Sequence, residues 1–335
     1  MTAYITRRLL LIVPTVFVAL SFLFFLFFAL PGDPANLIAG GADRVPDPVQ
    51  IQQITERYGF DDPLVVQFAN YWERTLQWDL GESYQTSRSV NDVLGERAVN
   101  SLRLAIWAVI IEVVVGIAVG LVSAIRRYSF SDRLTTIVTA GASAVPVFVL
   151  GFILQYGFAV VPNLNDWPEW AALRTSRIGP DSWAFFFIPT GEQWRYLILP
   201  AVTLASVSTA LAARMTRGSM LEVLRADYMR TARAKGLRER DVVARHGLRN
   251  AMLPVITLIG IDFGTVIGSA VLTETVFSWP GLGSAIAESV QERDLPITLG
   301  LTLAVVIAYS VINLLVDLSY AWFDPRIRLG EGEAT

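Results

Sequence analysis

The chain has 335 residues, 53% hydrophobic and 17% charged, with a mean hydropathy of +0.48; at this length that balance excludes an ordinary soluble domain and points to a polytopic membrane protein. The 27 basic and 30 acidic residues leave a net charge of −3, and cysteine is absent, which excludes disulfides, thiolate catalysis and cysteine-held metals. His246 and Lys235 are the only residues of their types and offer little for a metal or Schiff-base site, and no G-x-x-x-x-G-K-[ST] loop is present, so any ATP used is bound by a partner.

Six stretches have the roughly 20 apolar residues that cross a hydrocarbon core: Leu9–Leu30, Leu102–Ile125, Leu134–Val161, Leu197–Ala213, Leu253–Thr273 and Thr298–Phe323. The fold class expected is therefore an all-α polytopic membrane protein with six transmembrane helices. Arg7 and Arg8 precede the first stretch as they would a signal peptide, but its apolar run is long and Ala29-Leu30-Pro31 is a poor cleavage site, so it is read as a retained span. With both termini in the cytosol, 17 of the 27 basic residues and eight acidic ones fall inside, against ten basic and 19 acidic outside. That asymmetry follows the positive-inside rule.

The chain thus divides into a first helix (1–30), an extracytoplasmic segment (31–100), a transmembrane core (101–323) carrying a cytosolic loop (214–252), and a cytosolic tail (324–335). The outer segment has turn signals at Pro31-Gly32-Asp33-Pro34, Gly40-Gly41 and Asp61-Asp62-Pro63. Tyr58, Phe60, Phe68, Tyr71, Trp72 and Trp78 give it enough aromatic surface for a small folded cap. A second outer stretch, 162–195, carries Trp167, Trp170, Trp183 and Trp194, which suit either an interfacial belt or a cover over the mouth of a pathway.

Glu112, Asp262 and Asp317 are ionisable residues at membrane depth. Such residues face a bundle interior or an aqueous cavity, so they are read either as pathway lining or as members of buried hydrogen-bond networks. In the fifth span Gly260, Gly264 and Gly268 form a small-residue stripe for close helix packing, while Asp262, Thr265, Ser269 and Thr273 fall on the opposite face. In the sixth, Thr298, Thr302, Tyr309, Asn313 and Asp317 share a slowly drifting face. The pathway candidates are Glu112, Asp262, Thr265, Ser269, Asn313 and Asp317. Beyond the fifth span, Phe277, Ser278, Trp279, Pro280 and Gly281 form a loop read as an outer gate or binding-protein contact, or else as an interfacial anchor with a turn.

The cytosolic loop is patterned. Leu221, Leu224, Tyr228 and Ala232 recur at helical spacing, Gly236 can end that helix, and Glu239–Arg249 can form a second one. Its basic character would suit anionic lipid. The small residues Ala232, Ala234 and Gly236 at the bend favour close docking of a protein.

This loop, with Arg230-Thr231-Ala232-Arg233-Ala234-Lys235-Gly236 followed by His246-Gly247-Leu248-Arg249, resembles the Glu-Ala-Ala loop of inner-membrane permeases of binding-protein-dependent ABC importers, in the form used by the oligopeptide, dipeptide and nickel subfamily. It departs from the broad motif at Arg230 and Thr231 and in its ending, as that subfamily does. Leu30-Pro31-Gly32-Asp33-Pro34, Tyr58-Gly59-Phe60-Asp61-Asp62-Pro63-Leu64, Asp79-Leu80-Gly81-Glu82-Ser83, Glu274 to Gly283 and Asp324-Pro325-Arg326-Ile327-Arg328 are similar to the same subfamily and occur in order along the chain. The long outer segment resembles its B-type permease.

The resemblance implies a non-catalytic subunit paired with a second homologous permease, two cytosolic ATPases that bind ATP and Mg, and an extracytoplasmic solute-binding protein, with no nucleic acid involved. It implies no cofactor in this chain, a multi-pass location in the cell membrane, and ATPase coupling through residues 230–236. A short peptide is the leading substrate; nickel, a sugar or another small solute belongs to the same type of importer. A self-contained ion-coupled transporter would also place carboxylates at mid-membrane, but no repeated halves are visible. A membrane enzyme would need a nucleophile and base that this chain does not assemble.

Overall fold

The structure is a computed structural model that describes residues 2–29, 35–36, 48–168, 172–175 and 183–323. The motifs at Pro31–Pro34, Gly40-Gly41 and Asp324–Arg328, together with Trp170, lie outside the described residues, as does the side chain of Asp317. The described chain is almost wholly helical, and its contacts gather into two compact units, one of residues 1–99 with 281–311 and one of 100–280 with 312–335.

In the first unit, α1 (Thr2–Ala29) buries Leu20 and Phe24 while Leu10, Leu11, Val13, Val18 and Phe22 stay exposed. Helices α2 (Pro48–Tyr58) and α3 (Leu64–Leu76) follow. Phe24 meets Phe68 and Tyr71 at ring separations of 5.4 and 5.6 Å, and Phe17 stacks on Trp72 at 5.0 Å. Leu80, Val90 and Val93 share a core with Leu20, Leu282, Ala285, Ile297 and Leu301, contributed partly by α13 (Leu282–Gln291) and α14 (Leu295–Phe323). Gly300 is required there, since a Cβ would come within 2.5 Å of Val90. The Asp294 carboxylate accepts from the Ser83 hydroxyl and the Tyr84 backbone N–H, pinning residues 83–84 to the turn before α14. Residues 80–93 thus complete their apolar face with residues from 282 to 301, far along the chain.

In the second unit the first long rod combines α4 (Val90–Ile111, from Asn100 onward), a π-helical turn Glu112–Gly116 and α5 (Ile117–Ile125). It packs on α9 (Gln193–Val223). The closest approach is made by Gly116 and Gly120, where a Cβ would lie 2.8 Å from Ala212 Cβ and 2.5 Å from the Ala213 carbonyl oxygen. The third predicted span is corrected. Pro146 lacks an N–H and pushes Val145 to an extended ψ of 130°, so Leu134–Val161 divides into α6 (Phe130–Ala144) and α7 (Val147–Gln155), the latter continuing through a π turn (Tyr156–Val160) into α8 (Val161–Leu164). Two short strands, β1 (Trp183–Ala184) and β2 (Ile188–Pro189), pair antiparallel before α9, which runs well past Leu197–Ala213 at both ends.

The loop of residues 214–252 also differs from its predicted form. Leu221 and Leu224 belong to the end of α9. The chain then extends at Ala226 (ψ 148°) before α10 (Asp227–Ala234), whereas α11 (Glu239–Asp241) and a π segment (Val242–Leu248) lead without interruption into α12 (Arg249–Val276). Helix α12 bends by 58° between Val266 and Gly268. Among the described residues four helices are long and apolar enough to cross a membrane, and five if the bent pair counts as one. Leu10–Leu26 forms a shorter apolar helix.

Candidate functional site

The loop residues 226–248 fold into a compact knob. Met229 and Ala232 on α10 are buried against Val242, and Gly247 leaves room for the Met229 and Met220 side chains, whose methyls would stand 3.3 and 3.4 Å from a Cβ placed there. A helix of eight residues cannot hold itself together in water, so this packed face stabilises it. Its other face, Arg230, Thr231, Arg233, Ala234, Lys235 and Gly236, is exposed. Gly236 turns the chain at φ +76°, and Arg233 donates to both oxygens of Glu239 at 2.9 to 3.3 Å, bridging the bend. Those hydrogen bonds hold the Glu239 carboxyl below its usual range. Of the residues singled out at the bend, Ala232 is thus a packing residue and the other six form a surface.

Beneath the knob lies a clamp that sequence reasoning missed. Asp132, almost fully buried at the start of α6, accepts from Arg217 Nε and Nη2 at 2.7 and 3.0 Å, from the Ser123 hydroxyl at 2.5 Å and from the Tyr128 N–H at 2.8 Å. Arg217 foremost, then Ser123, hold its carboxyl well below the ordinary carboxylate range. The available signal was a single acid inside the otherwise basic stretch 126–133.

Within the membrane-spanning helices, Glu112 and Asp262 come together. The Ser101 hydroxyl donates to the buried Glu274 carboxylate at 2.6 Å, pinning α4 to the far end of α12. From that pin Glu112 lies eleven residues onward along the first rod, and Asp262 lies twelve residues back along α12, on the other side of its 58° bend. Ala108, one turn before Glu112, and Val266, one turn after Asp262, share a buried cluster. Glu112 is 1% exposed, and neither of its carboxylate oxygens has a hydrogen-bond partner among the described residues. Thr265 donates to Asp262 Oδ1 at 2.9 Å, while Oδ2 is buried and unpartnered. Asp262 is half-buried, and Thr265 and Ser269 on the same side of α12 are exposed. Thr273, placed on that face by sequence, is fully buried. Asn313 is half-buried on α14.

In the glycine stripe, Gly264 is buried and Gly260 half-buried, while a Cβ on Gly268 would meet nothing within 4 Å; among the described residues Gly116, Gly120 and Gly300 stand at tight crossings. The Phe277–Gly281 loop is largely buried in this structure. Phe277 is buried beside Ala159 and Leu199, and Trp279, 1% exposed, sits in the core with its indole N–H on the Asn100 carbonyl at 3.1 Å. Asn100 Nδ2 in turn donates to the Pro280 carbonyl at 3.0 Å, leaving Ser278 as the exposed tip. Among the described residues no cluster of three or more metal-ligating side chains occurs.

The family model described as binding-protein-dependent transport system inner membrane component matches residues 116–329, and its N-terminal companion model matches residues 1–105. The glutathione transport system permease protein GsiC of Escherichia coli O6:H1 is 39% identical over 328 residues, covering 98% of this chain and 99% of that protein. The protein of the same description from Pectobacterium atrosepticum is 38% identical over the same shares. Among solved structures, the crystal structure of an amino acid ABC transporter with histidines is similar in fold, with a TM-score of 0.50 and 14% identity over 70% of this chain and 94% of that one.

Proposed function

The chain belongs to the family of inner membrane components of binding-protein-dependent transport systems, and from that premise we propose that it forms half of the translocation pathway for short peptides in an ATP-driven importer. It is a multi-pass inner-membrane permease of the ABC class. The observation that carries the proposal is the knob of residues 226–248, a rigid, basic protrusion whose buried face is satisfied by its own chain and whose other face is free to meet a partner. Two ATPases that bind ATP and Mg are the partners that fit it. A second, homologous permease completes the pathway, and a solute-binding protein delivers cargo from outside. In this reading six helices span the membrane with both termini in the cytosol, and this chain itself performs no chemistry.

ATP-driven closure of the ATPases draws the two knobs together and opens the pathway outward, and hydrolysis resets it; this is an equilibrium between two bundle arrangements biased by a ligand bound elsewhere. Because α11 and the π segment run directly into α12, a displacement of the knob passes to the helix that carries Asp262 without a flexible joint. The Asp132–Arg217 clamp ties α6 to the end of α9 and keeps the base of the knob stiff. Peptide cargo is supported by the relatives, which are named for glutathione, itself a tripeptide.

The test is affinity purification of the tagged chain in mild detergent, identification of every co-purifying protein, and uptake of a short-peptide panel by the reconstituted complex. Recovery of a second permease and an ATPase, with ATP-dependent peptide uptake, is the expected result. A chain recovered alone that moves solute on an ion gradient would overturn the proposal.

A further inference from the structure

We propose that Glu112, Asp262 and Thr209 form a station inside the membrane for the positively charged amino group of the transported solute; this rests on the permease reading above and narrows its substrate class. Glu112 lies one turn beyond Ala108, Thr209 one turn beyond Ala205 and Asp262 one turn before Val266, and Ala108, Ala205 and Val266 share one buried cluster. Gly116 lies against the Thr209 carbonyl and Ala212, which fixes α4 and α9 in the same direction. Ser101 on Glu274 fixes α12 in the opposite one. The three side chains therefore occupy one level, a turn deeper than the apolar layer.

All three present buried acceptor atoms without a hydrogen-bond partner among the described residues: Glu112 Oε1 and Oε2, Asp262 Oδ2 and Thr209 Oγ1. An unpaired carboxylate costs several kcal/mol at membrane depth, and two side by side repel. The stretches Leu104–Ile125, Tyr196–Ala213 and Asn250–Val276 contain no Lys, Arg or His, and Arg214, the nearest cation beyond Thr209, is turned to the Thr139 carbonyl and Ser143. A cation that meets the two carboxylates has to be brought to them. A primary ammonium offers three N–H donors and no acceptor, matching an arrangement of two carboxylates and a hydroxyl. The π turn at Glu112–Gly116 is a second sign of function, because it displaces the helix ladder at the residue whose carboxylate has no partner. The approach is along the exposed Thr265 and Ser269 side of α12, where Asp262 stands half-buried with Glu112 behind it.

The experiment uses the intact complex in proteoliposomes with its binding protein and ATP, measuring maximal uptake of radiolabelled trialanine and glutathione by the wild type, E112Q, D262N, E112D and D262E. The neutral replacements keep hydrogen-bonding capacity and lose the charge; the acidic ones keep the charge. Expected is a fall of about tenfold or more in E112Q and D262N, retention within about threefold in E112D and D262E, and unchanged subunit composition. Uptake by E112Q and D262N within twofold of the wild type would overturn the assignment. So would loss of the second permease from those complexes, which would mean that the charge is met by that partner. Absence of ATP-driven uptake in the wild type would instead refute the permease-for-peptides reading, before any variant is compared.

Discussion

Substitution of Gly236 separates the two things that the end of α10 has to do. The residue stands at φ +76° with open space around it, so a Cβ there meets nothing within 4 Å. Alanine consequently bears only the cost of the left-handed backbone, about 1–2 kcal/mol, a factor of roughly 5–30 in the population of the correctly ended helix. Asparagine visits that conformation more readily and stays close to the wild type. Tryptophan bears the same backbone cost as alanine and adds an indole to the surface formed by Arg230, Thr231, Arg233, Ala234 and Lys235. Measured as solute moved per ATP hydrolysed in proteoliposomes, Gly236→Asn is near normal and Gly236→Ala is reduced by no more than that factor. Gly236→Trp is inserted but uncoupled. Uptake by Gly236→Trp equal to that of Gly236→Ala would show that only the backbone matters there, and normal uptake by it would refute the docking surface.

The Asp132 clamp predicts a pH dependence. Its folded-state carboxyl lies below the ordinary value of 3.8, so the stabilisation is complete above that value and is lost only as pH falls through the lower, folded-state value. Hydrogen exchange over residues 123–133 should be faster in Asp132→Asn by a constant ratio from about pH 8 down to about pH 4, with the ratio shrinking only in stronger acid. Trp279→Ala removes a fully buried indole and should cost about 3–5 kcal/mol, read as a lower melting temperature in detergent; altered transport with undiminished stability would give that loop a gating role. Gly120→Val should disrupt packing between α5 and α9, where even a Cβ would come within 2.6 Å of Thr216, whereas Gly268→Ala should leave thermal stability within about 0.5 kcal/mol. Equal melting temperatures for the two variants would contradict the observed helix crossing.

The polytopic helical class and the helical patterning of the loop were legible in the sequence because hydropathy and helical periodicity are local properties, whereas the break at Pro146 divided the third apolar stretch. Gly236 as a helix end was legible for the same reason, since a left-handed turn is a demand of the backbone that one residue type meets cheaply. Glu112 and Asp262 stood out individually because charge at membrane depth is rare, but their convergence at one level was not readable, as it depends on the register that Ser101 and Glu274 impose between α4 and α12. For the glycine stripe of the fifth span, spacing shows which residues share a face and not which neighbour meets it; close approach is seen at Gly116 and Gly120. Likewise the aromatic loop at Phe277–Trp279 has an interfacial composition, yet Asn100, almost 180 residues earlier, draws it into the core. The sequence by itself determined solvent, element type and the exposed chemistry of the knob. The tertiary structure decided which polar groups are paired and which are left without a partner, because that balance is set by contacts between helices distant along the chain.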